Sequence, residues 1–184
     1  MSVRPAPEPG DPAPDAELLD LWGEAALLST AWADGPAVLV FLRYFGCPFC
    51  QMQVVGLRRD QGMFEESGAS VVLVGQGPPE EAVAFRERRQ VPFPVFVDPD
   101  RRAYRAYGLD RGRPSQVYGP KVAVPFVRAN LTGKLQRGLH GGSFLQMPGS
   151  FVVDGAGILR FAHRNRTVAD NPTNQALLDA VHRA

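Results

Sequence analysis

Cysteine is nearly absent from this chain. Cys47 and Cys50 are the only two in 184 residues, which rules out a disulfide-stapled scaffold and leaves a four-sulfur zinc site without half its ligands. Histidine is equally sparse, at positions 140, 163 and 182, with no H-x-x-x-H spacing to complete a metal set. Lysine occurs only at 121 and 134, and the remaining basic residues are arginine. The formal net charge of +1 gives no electrostatic drive toward nucleic acid or an anionic membrane. No apolar run approaches the ~20 residues that cross a bilayer. Met1 to Pro14 holds five prolines and no apolar h-region, and reads as an extended arm rather than a secretory signal. Also missing are a Ser-His-Asp signature, a zinc-protease motif and a dinucleotide fingerprint. Gly75-Gln76-Gly77 is a lone G-x-G, too short for a phosphate loop. These absences predict a cytoplasmic protein that works without metal or organic cofactor and has neither nucleic-acid nor membrane partners.

What remains is a composition suited to one buried core: 45% hydrophobic and 21% charged residues. We expect an arm over residues 1–16 and one domain over 17–184. Glu17 to Leu28 fits either a short hairpin or a helix. Ala37 to Leu42 is continuously apolar, as a strand buried on both faces of a sheet requires. Pro48 to Ser67 predicts a helix with Cys50, Val54, Leu57 and Phe64 on one face and Gly68 as its stop. Ser70 to Gly75 predicts a second buried strand, Pro78-Pro79-Glu80-Glu81 a second helix start, and Pro94 to Val97 a third strand. A turn at Asp98-Pro99-Asp100 and a short helix closed by Gly108 come next. Residues 110–146 are rich in Gly, Pro and Arg and read as an insertion or lid. Ser150–Asp154 and Ile158–His163 predict a hairpin, and Thr173 to His182 a final helix.

The cysteines sit in Phe45-Gly46-Cys47-Pro48-Phe49-Cys50, directly after the first apolar strand. A strand that opens into a helix there puts Cys47 at the helix N-terminus, where unpaired amide protons and the macrodipole favour a thiolate. A thiol with pKa near 8.5 drops to roughly 3.5–7.5 in such settings. Cys50 lies on the same helical face and can attack a mixed disulfide formed on Cys47. The pattern therefore favours a redox pair over a metal site or inert buried thiols, with Cys47 as the more exposed nucleophile and Cys50 as the resolving thiol. Arg43 reads either as a solvated strand-end residue, the commoner case, or as a charge turned toward the thiolate. Tyr44, Phe45 and Phe49 offer an apolar wall for substrate, or core. His163, Arg164 and Arg166 read as structural or surface groups.

Several of these segments resemble a known family, the peroxiredoxin-like group of the alkyl hydroperoxide reductase/thiol-specific antioxidant superfamily. Gly10-Asp11-Pro12-Ala13-Pro14-Asp15 is similar to the opening segment of peroxiredoxins. The Cys47-Pro48-Phe49-Cys50 turn resembles the C-x-x-C branch of the group, and also the C-P-Y-C of glutaredoxins. Met147-Pro148-Gly149-Ser150-Phe151-Val152-Val153-Asp154 resembles the cis-proline strand of thioredoxin-like reductases, and Phe161-Ala162-His163-Arg164 with Asp170-Asn171-Pro172 the end of that branch. The resemblance implies an α/β thioredoxin-like fold, a central mixed β-sheet flanked by helices with an insertion before the C-terminal hairpin. It also implies an oxidoreductase, with thioredoxin or a low-molecular-weight thiol as reductant and a disulfide or peroxide as substrate. Pro148, as a cis-proline, would expose backbone to that substrate. The Pro-x-x-x-Thr-x-x-Cys pattern of peroxiredoxins is not matched, Tyr44 and Phe45 standing in that stretch, and Pro148 occupies the place of the family's peroxide-activating Arg. On that ground thiol-disulfide exchange ranks first. A thiol peroxidase acting on hydroperoxides or lipid endoperoxides ranks second, and a non-catalytic redox sensor third.

Overall fold

A computed structural model of the chain describes residues 5–118 and 143–184. Seven strands form one mixed sheet in the order β2-β1-β5-β4-β3-β6-β7. The central three are β3 (Ala37–Phe41), β4 (Ser70–Gly75) and β5 (Val95–Val97), paired parallel. β6 (Gly149–Val153) runs antiparallel to β3 and carries the hairpin partner β7 (Leu159–Arg164). The ambiguous segment 17–28 is a hairpin, β1 (Glu17–Leu19) against β2 (Ala25–Leu27). Asp20 makes its turn, its carboxylate accepting the N–H groups of Trp22 and Glu24. The arm is held as well as extended: Gly10 and Ala13 donate to Leu159 and Gly157, and Leu159 donates back to Asp11.

β3 is buried at every residue because it lies mid-sheet with apolar layers on both faces. One layer packs Val38, Val40 and Leu42 with α1 (Pro48–Arg59) and the C-terminal helix α6 (Asn174–Val181). The other packs Leu39 and Phe41 with Tyr104, Tyr107 and Phe151. Burying one such aliphatic or aromatic side chain is worth about 1.5–3 kcal/mol. Tyr104, on α4 (Arg102–Ala106), donates its hydroxyl to the carbonyls of Leu42 and Val74 and so ties together the ends of β3 and β4.

The helix expected over 48–67 is two helices, α1 and α2 (Gln61–Glu66), meeting at Asp60. The Asp60 carboxylate is drawn outward to Arg59 (2.7 Å) and to Asn174 at the start of α6 (2.7 Å). Gly68, at φ +69°, then supplies the left-handed residue that ends α2. α3 (Pro79–Arg89) carries Glu80 and Glu81 in its first turn. Of the expected insertion 110–146, the structure describes α5 (Pro114–Tyr118), its approach and residues 143–146; residues 119–142 lie outside the described part.

Candidate active site

Cys47 is the N-cap of α1, with extended backbone, and Pro48 takes the first helical position, where its missing N–H is not needed. Cys47 N–H donates back to Tyr44 O across a tight turn (3.0 Å), which delivers the sulfur from the end of β3 to the helix start. The two cysteines lie 3.4 Å apart and are not joined in a disulfide. The Arg43 backbone N–H donates to Cys50 Sγ at 3.3 Å, and Arg43 Nη1 lies 3.9 Å from Cys47 Sγ.

The two thiols are driven apart in acidity. Burial raises the Cys47 thiol, but the Cys50 S–H donated to it, the Arg43 charge and the Cys50 backbone N–H together bring it down to about 6. Cys50 moves the other way: its bond to Cys47, burial and the neighbouring negative charge hold it well above the ordinary thiol range. The pair is therefore a thiolate beside a protonated thiol at neutral pH.

Arg43 overturns the expectation of a solvated residue. It is 5% exposed, and its Nε and Nη2 both donate to Phe144 O while its guanidinium stands 5.1 Å from the Tyr44 ring. The sulfur is also not the more exposed of the two, since Cys47 is 0% and Cys50 1% exposed. Residues 143–145 stand beside the site, tied to Arg43, whose guanidinium is near Cys47. Phe144 sits edge-to-face on Tyr44 at 5.1 Å, and Ser143 is bound on both its N–H and its carbonyl by Gln76.

Phe45 is in the core instead of on a substrate wall, its ring 5.1 Å from Phe85 and packed over Gly75 and Gly77. Phe49 is buried on α1, its carbonyl accepting from Asn171. It borders a groove of about 870 Å³ shared with Met52, Met63 and Pro172, which neither cysteine lines. The Met147–Pro148 bond is trans, contrary to expectation, because no described peptide bond is cis. Pro148 leads straight into β6, its carbonyl accepting from Asn165 at 3.2 Å, while Met147 N–H donates to Asp110. Extended backbone of this kind accommodates the intrinsically favoured trans isomer. Pro148 is buried and Met147 packs in the same apolar layer as the cysteines.

His163 bonds Asp170 O at 2.7 Å, and Arg164 spans from Tyr107 O to the arm at Pro7 and Glu8, so neither faces the thiols. Sequence reasoning missed Gln76 and Phe144. Gln76 stood inside the G-x-G triplet, but only the folded chain brings position 143 beside it. Among the described residues, no three His, Cys, Asp or Glu side chains converge as a metal set would.

The comparisons with known proteins bear on the family and the fold. Peroxiredoxin-like 2C of Homo sapiens is 28% identical over 190 residues, 95% of this chain and 83% of its own length. The prostamide/prostaglandin F synthase of Salmo salar is 28% identical over 171 residues, covering 91% and 82%. In structure, peroxidoxin BcpB from Mycobacterium tuberculosis superposes with TM-score 0.70 at 22% identity, over 95% of this chain and 96% of that one, which shows the thioredoxin-like fold. The family model described as AhpC/TSA antioxidant enzyme matches residues 56–167. That match spans more than half the chain, and with the fold and the relatives it makes this protein a member of the peroxiredoxin-like AhpC/TSA antioxidant-enzyme family, an oxidoreductase with thiol-dependent chemistry.

Proposed function

We propose that the protein reduces a small oxidised substrate at Cys47 and discharges it through a Cys47–Cys50 disulfide, as a C-x-x-C member of the family. The observation that carries this reading is the acidic Cys47, held at 3.4 Å from a Cys50 that keeps its proton. With a hydroperoxide, the Cys47 thiolate attacks the terminal oxygen and the O–O bond breaks. The leaving alkoxide takes a proton from solvent and departs as the alcohol, and Cys47 becomes a sulfenic acid. Cys50 then attacks the Cys47 sulfur, and its proton leaves with the hydroxyl as water. Thioredoxin, or two molecules of a low-molecular-weight thiol, supplies two electrons, leaves as its own disulfide and restores the dithiol.

Disulfide exchange uses the same pair, and the dithiol itself favours it as a second reading. Cys47 would form a mixed disulfide with release of one substrate thiolate, and Cys50 would displace the other. Three observations move peroxide ahead of it. Arg43 places a cation by the sulfur, supplying electrostatic stabilisation at a position other than the one the family pattern uses. Cys47 is buried, which suits a small oxidant better than a folded protein disulfide. The trans Pro148 removes the cis-proline platform on which an extended disulfide substrate was expected to lie. The relatives named prostamide/prostaglandin F synthase add an apolar peroxide as a candidate substrate. No described helix is long and apolar enough to cross a membrane, and a cytoplasmic site of action belongs to this proposal.

The deciding experiment is steady-state reduction of a small hydroperoxide and of a protein disulfide with the same thiol donor. Hydroperoxide turnover should exceed protein-disulfide turnover, Cys47→Ser should abolish both, and Cys50→Ser should accumulate a mixed disulfide between Cys47 and the thiol donor. Faster turnover of the protein disulfide would reverse the ranking.

A further inference from the structure

The Gly75-Gln76-Gly77 triplet is left unexplained by the thiol chemistry. Its glycines make room for one ring. A Cβ on Gly75 would lie 2.2 Å from Phe45 Cζ, and one on Gly77 3.2 Å from Phe45 Cε2. Phe45 thus packs against both, and the residue between them is 3% exposed, with an amide in full use. Gln76 Nε2 donates to Arg43 O and to Ser143 O (2.9 Å), and Oε1 accepts from Ser143 N–H (2.9 Å). A side-chain amide that meets the N–H and the carbonyl of one residue reproduces a rung of a β-ladder, and only a primary amide carries both the donors and the acceptor.

We propose that Gln76 is a positioning residue that latches Ser143–Leu145 over Cys47 and thereby limits the size of oxidant the thiolate can meet. The latch hangs from the end of β4, in the rigid centre of the sheet. The other ties on the strap are of different character. Arg111 reaches Ser143 Oγ from an exposed position, Gly112 N–H donates to Leu145 O at 2.7 Å, and Arg43, which holds Phe144 O, also faces the sulfur. Releasing Gln76 therefore frees Ser143, at the opposite end of the strap from the Gly112 bond, while leaving the Arg43 side chain itself unaltered. This inference rests on the reading of Cys47 as the reactive thiol, but on neither choice of substrate.

The test uses alkylation, which needs no turnover. In full-length protein carrying Cys50→Ser, the Cys47 rate is measured with N-ethylmaleimide and with fluorescein maleimide, one warhead at two sizes. Two half-buried hydrogen bonds lost from a local opening equilibrium should raise the rate with the bulky reagent roughly tenfold in Gln76→Ala. The N-ethylmaleimide rate should rise less, and the pH midpoint should stay where it was. Because Gln76 is buried, Ser143→Pro is made in parallel; it removes the N–H from the strap side and should raise the same ratio. An unchanged size ratio in both variants, with the circular dichroism of the parent retained, overturns the latch. Equal acceleration of both reagents with loss of secondary structure also overturns it, as general loosening. If Cys47 in the parent fails to react with N-ethylmaleimide at any pH above 6, the reading of Cys47 as nucleophile falls and takes the latch with it.

Discussion

The acidity of Cys47 comes from two residues, Cys50 and Arg43, acting against burial, and their side chains can be replaced separately. Cys47 alkylation should rise with pH through a midpoint near 6 in the native protein. Arg43→Met removes a cation 3.9 Å from the sulfur and should move that midpoint up by roughly one unit or more. Cys50→Ala removes the S–H donor and should move it up as well. Cys50→Ser keeps a donor and should move it little. Rates measured across pH 4 to 10 distinguish these cases, and equal midpoints for the Ala and Ser variants would show that the Cys50 hydrogen bond contributes nothing. Arg43 marks the limit of what the residues alone disclose. Its spacing from Cys47 was plain, but whether it turned to solvent or to sulfur depended on the carbonyl of Phe144, 101 positions away, which accepts from it.

At the scale of elements, the parts of the fold set by local pattern were legible. The continuous apolar runs became β3 and β4, Pro48 opened α1, and Thr173 caps α6, its hydroxyl accepting the Ala176 N–H at 3.2 Å. Thr173→Ala should cost about 1 kcal/mol in denaturant unfolding. What was misread depended on partners distant in the chain. α1 gives way to α2 at Asp60, whose carboxylate meets Asn174, and Met147–Pro148 stays trans where the segment is held extended by Asp110 and Asn165. The fit of Phe45 into the glycines of β4 and its following turn is equally non-local. Gly75→Ala should therefore destabilise by about 1–3 kcal/mol through forced displacement of the Phe45 ring. A loss well under 1 kcal/mol would mean the ring has room to move that its packing against Phe85 does not suggest.

For the molecule as a whole, site acidity and stability are linked. The Cys47 pKa falls from 9.0 in the ordinary thiol to about 6 in the folded protein, so between those values the unfolded chain binds more protons than the native one. The contribution of this group is complete above about pH 9 and is lost as pH falls through 6. The stability of the reduced protein relative to Cys47→Ser should therefore grow from pH 6 to pH 9, and parallel unfolding curves would deny the linkage. The central claim is that a thiolate at Cys47 reacts first and Cys50 follows. Stopped-flow oxidation of the reduced protein by a small hydroperoxide, recorded against pH, tests it most directly. The account predicts a rate rising with a midpoint near 6, absent in Cys47→Ser and retained in Cys50→Ser, where the product stops at the sulfenic acid. A midpoint at the ordinary thiol value near 9, or oxidation that survives Cys47→Ser, would contradict it.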